Sequence, residues 1–182
     1  MTIRLADGLE VSGHGAIVGK TGYGSTTVGV HAAKTHDGPV AFIAGGMERA
    51  FAADPRWAWA EVEVRADRAL ELLETRLQPG LLVVVDEVEF AGYTDQLSAM
   101  LTRYQEVGAS VLFTGNLGNV PRPEVLAALP WRVALTCDLP RQSVELIGTA
   151  AACQLEPGQA ILVFNGDGDG ERELFATGLF QS

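Results

Sequence analysis

Gly19-Lys20-Thr21-Gly22-Tyr23-Gly24-Ser25-Thr26 is the stretch on which the reading of this chain turns. Set against G-x-x-x-x-G-K-[ST], the pattern of a phosphate-cradling loop, it matches at Gly19, Gly24 and Thr26. It departs at Ser25, where the lysine that reaches the β- and γ-phosphates would stand. Upstream, Ala16-Ile17-Val18 reads as a short buried strand, and downstream Thr26 to Ala33 can begin a helix. Strand, glycine-rich turn and helix N-terminus is the context the pattern requires. The backbone N–H groups of such a turn, with the helix dipole behind them, form an anion site without help from any side chain.

Working outward, the helix after the loop spans about Ser25–Lys34 and ends in the turn cluster His36-Asp37-Gly38-Pro39. Val40–Ala44 is a compact apolar strand closed by Gly45-Gly46, Met47–Ala53 a short helix, and Trp57–Val64 a further strand. Ala66, Ala69, Leu70, Leu72, Leu73 and Leu77 recur at helical spacing across Arg65–Leu77, and Pro79-Gly80 stops that helix. Leu81–Val85 is a continuous aliphatic run, the pattern of a central parallel strand covered on both faces, and it ends in Asp86-Glu87. A helix over Thr94–Val107 capped by Gly108 follows, then a strand at Ser110–Phe113 ending in Thr114-Gly115-Asn116. Next come a helix at Pro123–Leu129, a strand at Trp131–Thr136, a helix at Ser143–Ala151 and a hairpin of Ala160–Phe164 with Glu173–Ala176. Ahead of the loop, Ile3–Ser12 holds one or two short strands around Asp7-Gly8. Strands alternating with helices predict an α/β sandwich on a mostly parallel sheet, with ligands at the carboxyl ends of the strands.

Both the glycine loop and Asp86-Glu87 fall at such ends. An aspartate after a hydrophobic strand holds Mg²⁺, and the glutamate beside it orients and deprotonates an attacking water. The pairing therefore predicts a P-loop NTPase fold with ATP and Mg²⁺ as its cofactors. Gly19, Lys20, Thr21, Gly22, Tyr23, Gly24, Ser25, Thr26 and Thr27 are the candidate nucleotide-binding residues, Thr26 and Asp86 the metal side, and Glu87 and Asn116 the catalytic pair.

From His14 to about Leu179 the chain resembles the FtsK/SpoIIIE-like ATPases, including the TraB-type and EccC-type motor domains. Ala16–Gly19 with Thr21–Gly24 is similar to their h-h-x-G-x-T-G-S-G loop, and Val28-Gly29-Val30 to the helix after it. Leu82–Glu87 resembles their hydrophobic strand ending in Asp-Glu. Gly108–Asn116 is similar to their G-I-h-h-h-h-A-T-Q segment, which puts Thr114 and Asn116 near a sensor position. Trp131–Ala134 resembles their P-T-R-I-A strand, Arg141–Ser143 the following D-S-R, and Glu156–Ala160 a later glycine turn. The resemblance implies a RecA-like three-layer α/β/α sandwich with a C-terminal β-hairpin, ATP bound between ring-forming subunits, and translocation of DNA or protein. Three positions depart from the family pattern: Ser25 replaces the lysine, Gly115-Asn116 stands for Thr-Gln, and Gln105 stands where arginine is common.

Bound nucleotide with weak or absent hydrolysis is therefore the expectation, since losing one preorganised charge costs on the order of 10²-fold in phosphoryl transfer. Two alternatives stand beside it: a non-catalytic adaptor that uses the motor fold as a surface, and a working minimal ATPase in which Lys20 takes the missing lysine's place. Lys20 is otherwise a solvated loop residue. Arg103, Arg132 and Arg141 are trans-acting candidates, or else surface and helix-end arginines.

At 182 residues and 47% hydrophobic the chain reads as one globular domain, 1–182. Its net charge of −10 argues against independent nucleic-acid binding, so contact with DNA is expected only indirectly or within an assembly, in a homo- or hetero-oligomeric ring. No apolar run approaches the roughly 18 residues of a membrane helix and no leader-like segment opens the chain, so a cytoplasmic protein without membrane insertion is expected. Cys137 and Cys153 lack metal spacing and read as free thiols, and His14, His31 and His36 are scattered. Asn165–Gly170 matches the first half of a calcium loop, but Ala176 stands where its bidentate glutamate belongs, so a hairpin turn is expected. Trp57, Trp59 and Trp131 lack interleaved basic residues and read as packing.

Overall fold

Period-two burial along the strands decides the layering. In β6 (Leu82–Asp86), Val83 and Val85 pack into one apolar cluster, while Leu82 and Val84 pack into another on the opposite face. The same alternation runs through β4 (Val40–Ala44), β7 (Ser110–Gly115) and β3 (Gly15–Val18), so a single sheet is buried on both sides. The computed structural model describes residues 2–46, 52–165 and 172–176. The helix expected at Met47–Ala53 falls largely outside these residues, and so do Gly166–Gly170 of the expected hairpin turn.

Among the described residues eight strands form the sheet, in the order β10 (Arg172–Ala176), β9 (Gln159–Phe164), β8 (Trp131–Ala134), β3, β7, β6, β4, β5 (Trp57–Glu61). The six from β8 to β5 are parallel. The C-terminal hairpin of β9 and β10 extends the β8 edge antiparallel. One face is covered by α2 (Ala66–Thr75), α3 (Thr94–Glu106), α4 (Pro123–Ala128) and α5 (Pro140–Ile147). The other carries α1 (Ser25–Lys34), flanked by a separate antiparallel pair, β1 (Thr2–Ala6) and β2 (Leu9–Ser12), whose Ile3, Leu5 and Val11 share its core. The expected α/β/α sandwich on a mostly parallel sheet is what forms, with a β-ribbon beside the helix in one outer layer.

Two elements differ most from the sequence expectation, while the others shift by no more than about two residues at an end. The strand expected over Trp57–Val64 ends at Glu61. The helix expected at Ser143–Ala151 instead starts at Pro140, whose fixed φ suits a first helical turn, and stops where Gly148 takes φ 75°. A short 3₁₀ turn at Ala150–Gln154 follows, tied back by Ser143, whose hydroxyl donates to Thr149 O at 2.5 Å and accepts from Ala152 N at 3.0 Å. Ser143 thus lies inside the helix, buried, because its hydroxyl joins the two pieces.

Close approach sets the glycines that matter. A Cβ on Gly15 would lie 2.2 Å from the Trp131 ring, and one on Gly29 would lie 2.4 Å from Thr114 Cγ2. The first lets β3 cover the fully buried Trp131, and the second lets α1 sit down on β7.

Candidate functional site

Strand register brings the site together. Val18 pairs with Gly115 and with Ala134, Asp86 pairs with Thr114, and Ala44 pairs with Asp86, so the carboxyl ends of five strands lie on one level. The glycine loop leaves β3 at that level. Its first N–H groups are taken by neighbours: Gly19 N–H donates to Gly115 O at 3.1 Å, and Lys20 N–H to Thr136 O at 2.7 Å. A Cβ on Gly19 would lie 2.6 Å from Leu135 Cβ, which is why the loop can start so close to β8.

Beyond these anchors the loop opens. Gly24, at φ 90°, is the N-cap of α1; no side chain caps the helix and its first turn holds no acidic residue. The first N–H groups of a helix have no carbonyl of their own helix to bond, so this end of α1 offers donors and the positive end of the dipole to an anion. Ser25, in the lysine's place, is nearly buried at the helix start.

Beneath the loop lies Asp86, with no exposed surface. Its Oδ1 accepts from Thr26 Oγ1 at 2.8 Å and from Thr114 Oγ1 at 2.5 Å. One buried carboxylate oxygen thus gathers a hydroxyl from the glycine loop and another from the neighbouring strand. Such oxygen donors fit Mg²⁺, which takes one or two carboxylates and fills its remaining positions with water and phosphate oxygens. Among the described residues there is no cluster of three His, Cys, Asp or Glu side chains that would form an all-protein cage.

Glu87 follows with φ 52°, in the left-handed region that a branched or bulky residue enters only at a cost. Two neighbours make this turn possible. Glu87 N–H donates to Thr114 O at 2.9 Å, and Gly45 on the adjacent strand end leaves room for the Glu87 carbonyl, 2.1 Å from where a Cβ would be. The side chain then runs beside Gly115 and borders a cavity of about 340 Å³ with Arg65, Asp67 and Glu89.

Asn116 stands on the other side of the loop. Its Nδ2 donates to Thr21 Oγ1 at 3.2 Å, and its Oδ1 accepts from Gly118 N–H at 2.8 Å. With Lys20, Thr21 and Gln142 it lines a cavity of about 250 Å³ at the ends of β3 and β8. The Glu156–Ala160 turn also reaches the loop: Pro157 and Gly158 face Gly22 and Tyr23 across a recess of about 200 Å³.

Lys20 is held by the connection after β8. Its Nζ lies 2.7 Å from Asp138 Oδ1 and 5.5 Å from the centre of the Tyr23 ring. Bonding to Asp138 and the charge of that carboxylate hold the ammonium pKa above its ordinary value. Sequence reasoning missed Asp138, because nothing in its spacing relates it to Lys20. The arginines are occupied: Arg132 donates to Leu146 O and Leu126 O, both at 2.8 Å, while Arg103 pairs with Glu74 and Arg141 with Glu145. Cys137 and Cys153 are free thiols, and burial pushes Cys137 up to about 11. Trp131 is buried and Trp57 stacks on Phe42 at 5.4 Å, so these two are packing residues, while Trp59 carries the Arg76 guanidinium at 4.9 Å.

No protein-family model matches the chain, and no curated protein does. Solved structures do. The chain is similar to the cytoplasmic domain of the type VII secretion ATPase EccC from Thermomonospora curvata, at 16% identity and TM-score 0.61, over 96% of this chain and 28% of that one. It is similar to the genome-packaging NTPase B204 of Sulfolobus turreted icosahedral virus 2, determined with ATP-γ-S, at 11% identity and TM-score 0.60, over 90% and 96%. The third is the pCW3 conjugation coupling protein TcpA, also determined with ATP-γ-S, at 15% identity and TM-score 0.57, over 97% and 66%. This chain thus spans under a third of the EccC chain and nearly the whole of B204. With the glycine loop, the buried aspartate and the strand order in place, the chain has the fold of the FtsK-type P-loop ATPase motor domains.

Proposed function

We propose that this chain, acting as one domain over 1–182, binds ATP at the Gly19–Thr27 loop with Mg²⁺ and turns it over slowly or not at all, within an assembly that moves DNA or protein. The observation that carries the reading is the convergence of Thr26 and Thr114 on Asp86 directly beneath the loop. A hydroxyl at the start of the loop helix and a strand-end carboxylate, in contact, are the pair that holds a nucleotide's metal in P-loop sites. The fold relatives belong to secretion, conjugation and genome packaging, which supports the assembly part of the reading.

In this reading the loop's N–H groups and the α1 dipole hold the phosphates. Asp86 and Thr26 would hold the magnesium, which would supply positive charge to the phosphates. Glu87 orients the attacking water and accepts its proton. Asn116 reports the state of the phosphate chain through Thr21. Ser25 supplies no charge to the transferred phosphoryl group, so the electrostatic contribution of a lysine, on the order of 10²-fold in rate, is missing.

Titration with a fluorescent ATP analogue, with and without magnesium, tests the reading alongside phosphate release. Magnesium-dependent binding by the parent is expected, and Ser25→Lys should raise both affinity and turnover, of which Glu87→Gln removes the turnover alone. Absence of binding by both the parent and Ser25→Lys would overturn it in favour of an adaptor on a motor scaffold.

A further inference from the structure

We propose that Asp138 is a charge latch on the loop lysine: it holds Lys20 off the phosphate site until a polyphosphate chain displaces it, and so sets the affinity for that chain. The inference rests on the nucleotide reading above and concerns the regulation of the same site. Lys20 is the one basic residue between Gly19 and Thr27. Its backbone N–H is bound to Thr136 O at 2.7 Å, and its ammonium to Asp138, two residues further along the same connection, at 2.7 Å. Main chain and side chain are therefore held by one segment, the link from β8 to α5.

The ammonium nonetheless stays within the loop's own neighbourhood, 5.5 Å from the ring of Tyr23, three residues on. Both partners are half exposed, at 41% and 55%, so the lysine leaves Asp138 without uncovering a buried charge. Lys20 and Asp138 together form part of the wall of the cavity of about 250 Å³ that adjoins the loop. A polyphosphate in the cradle places several negative charges beside that wall. They attract the ammonium and repel the carboxylate, and both effects favour transfer of Lys20 from Asp138 to the phosphates. A lone phosphate carries less charge and competes less well.

Asp138 acts through Lys20 and touches no phosphate, which separates its effects from those of a merely structural residue. Calorimetric titration of the full chain with MgATP and with inorganic tripolyphosphate supplies the test. Asp138→Asn is expected to tighten both ligands by about two- to fivefold, the range that loss of an exposed ion pair supports. The gain shrinks at high salt and vanishes in the Lys20→Gln background. An unchanged affinity in Asp138→Asn, an equal gain with Lys20→Gln, or a gain for MgATP but not tripolyphosphate each overturns the latch while leaving nucleotide binding intact. Failure of every variant to bind either ligand overturns the nucleotide reading and the latch with it. Circular dichroism melts of the variants confirm that exposed substitutions leave the fold in place.

Discussion

Asp86 shows how much of the site rests on one atom. Its Oδ1 is the acceptor for two hydroxyls from different elements, in a position with no access to water. Hydrogen bonds to a charged group contribute about 1.5–3 kcal/mol, and a lost buried partner is not replaced by solvent. Thr114→Val, which keeps the shape and removes the donor, is expected to lower stability by about 1–3 kcal/mol in urea unfolding. Glu87 makes the opposite case. Its left-handed backbone costs energy that glycine would not incur, while its carboxylate has no hydrogen bond or ion pair among the described residues. Glu87→Gly should therefore raise the unfolding free energy by up to about 1 kcal/mol and abolish any phosphate release. A loss of stability in that variant would show that the strain reading of φ 52° is wrong.

At the scale of elements, the seat of α1 on the sheet is the contact to test. Gly29 faces Thr114 so closely that a methyl group would stand 2.4 Å from its Cγ2. Alanine is the better helix former by about 1 kcal/mol, but overpacking a stiff β-branched neighbour costs about 1–3 kcal/mol. The second effect wins, so Gly29→Ala is expected to destabilise the protein in thermal melts. Because α1 carries Thr26, lifting it also parts Thr26 from Asp86, and magnesium-dependent nucleotide binding should weaken more than magnesium-free binding. Most element positions were legible from the chain: α1 and β4 form as the apolar spacing predicts, since local pattern and tertiary burial agree there. The last helix was not. The helix was expected to start at Ser143, yet the hydroxyl of that residue is spent on Thr149 and Ala152, contacts that exist only once Gly148 has turned the chain back.

At the scale of the whole molecule, His14 joins distant parts of the core. Its Nε2 donates to Leu101 O at 2.8 Å in α3, and its Nδ1 accepts from Val111 N–H at 3.0 Å in β7. A neutral ring satisfies both bonds, and a protonated ring would face a donor with a second donor. Burial lowers the His14 pKa in the folded protein below its ordinary 6.5. Above about 6.5 both states are neutral and the full stability is present. As pH falls below 6.5 the unfolded chain takes up a proton that the folded one refuses, so stability is lost from there down through the folded pKa. Urea midpoints at pH 7.5 and 5.5 should differ in that direction, and the difference should shrink in His14→Gln.

The site divides in the same way as the fold. The gathering of Gly19, Gly24, Thr26, Asp86 and Glu87 at strand ends was readable, because strand ends can be found from apolar runs. The contact of Asn116 with Thr21, the partnership of Lys20 with Asp138 and the room that Gly45 leaves for Glu87 were not readable. Each joins residues from separate connections, and sequence spacing carries no record of which loops will face each other. What the sequence by itself determined is the layered α/β architecture and the place of the glycine loop between strand and helix, because periodic burial and glycine-rich turns are local. Only the tertiary structure decided where the loop's lysine rests. The β8–α5 connection reaches Lys20 through strand pairing between β3 and β8, and charge then does the rest.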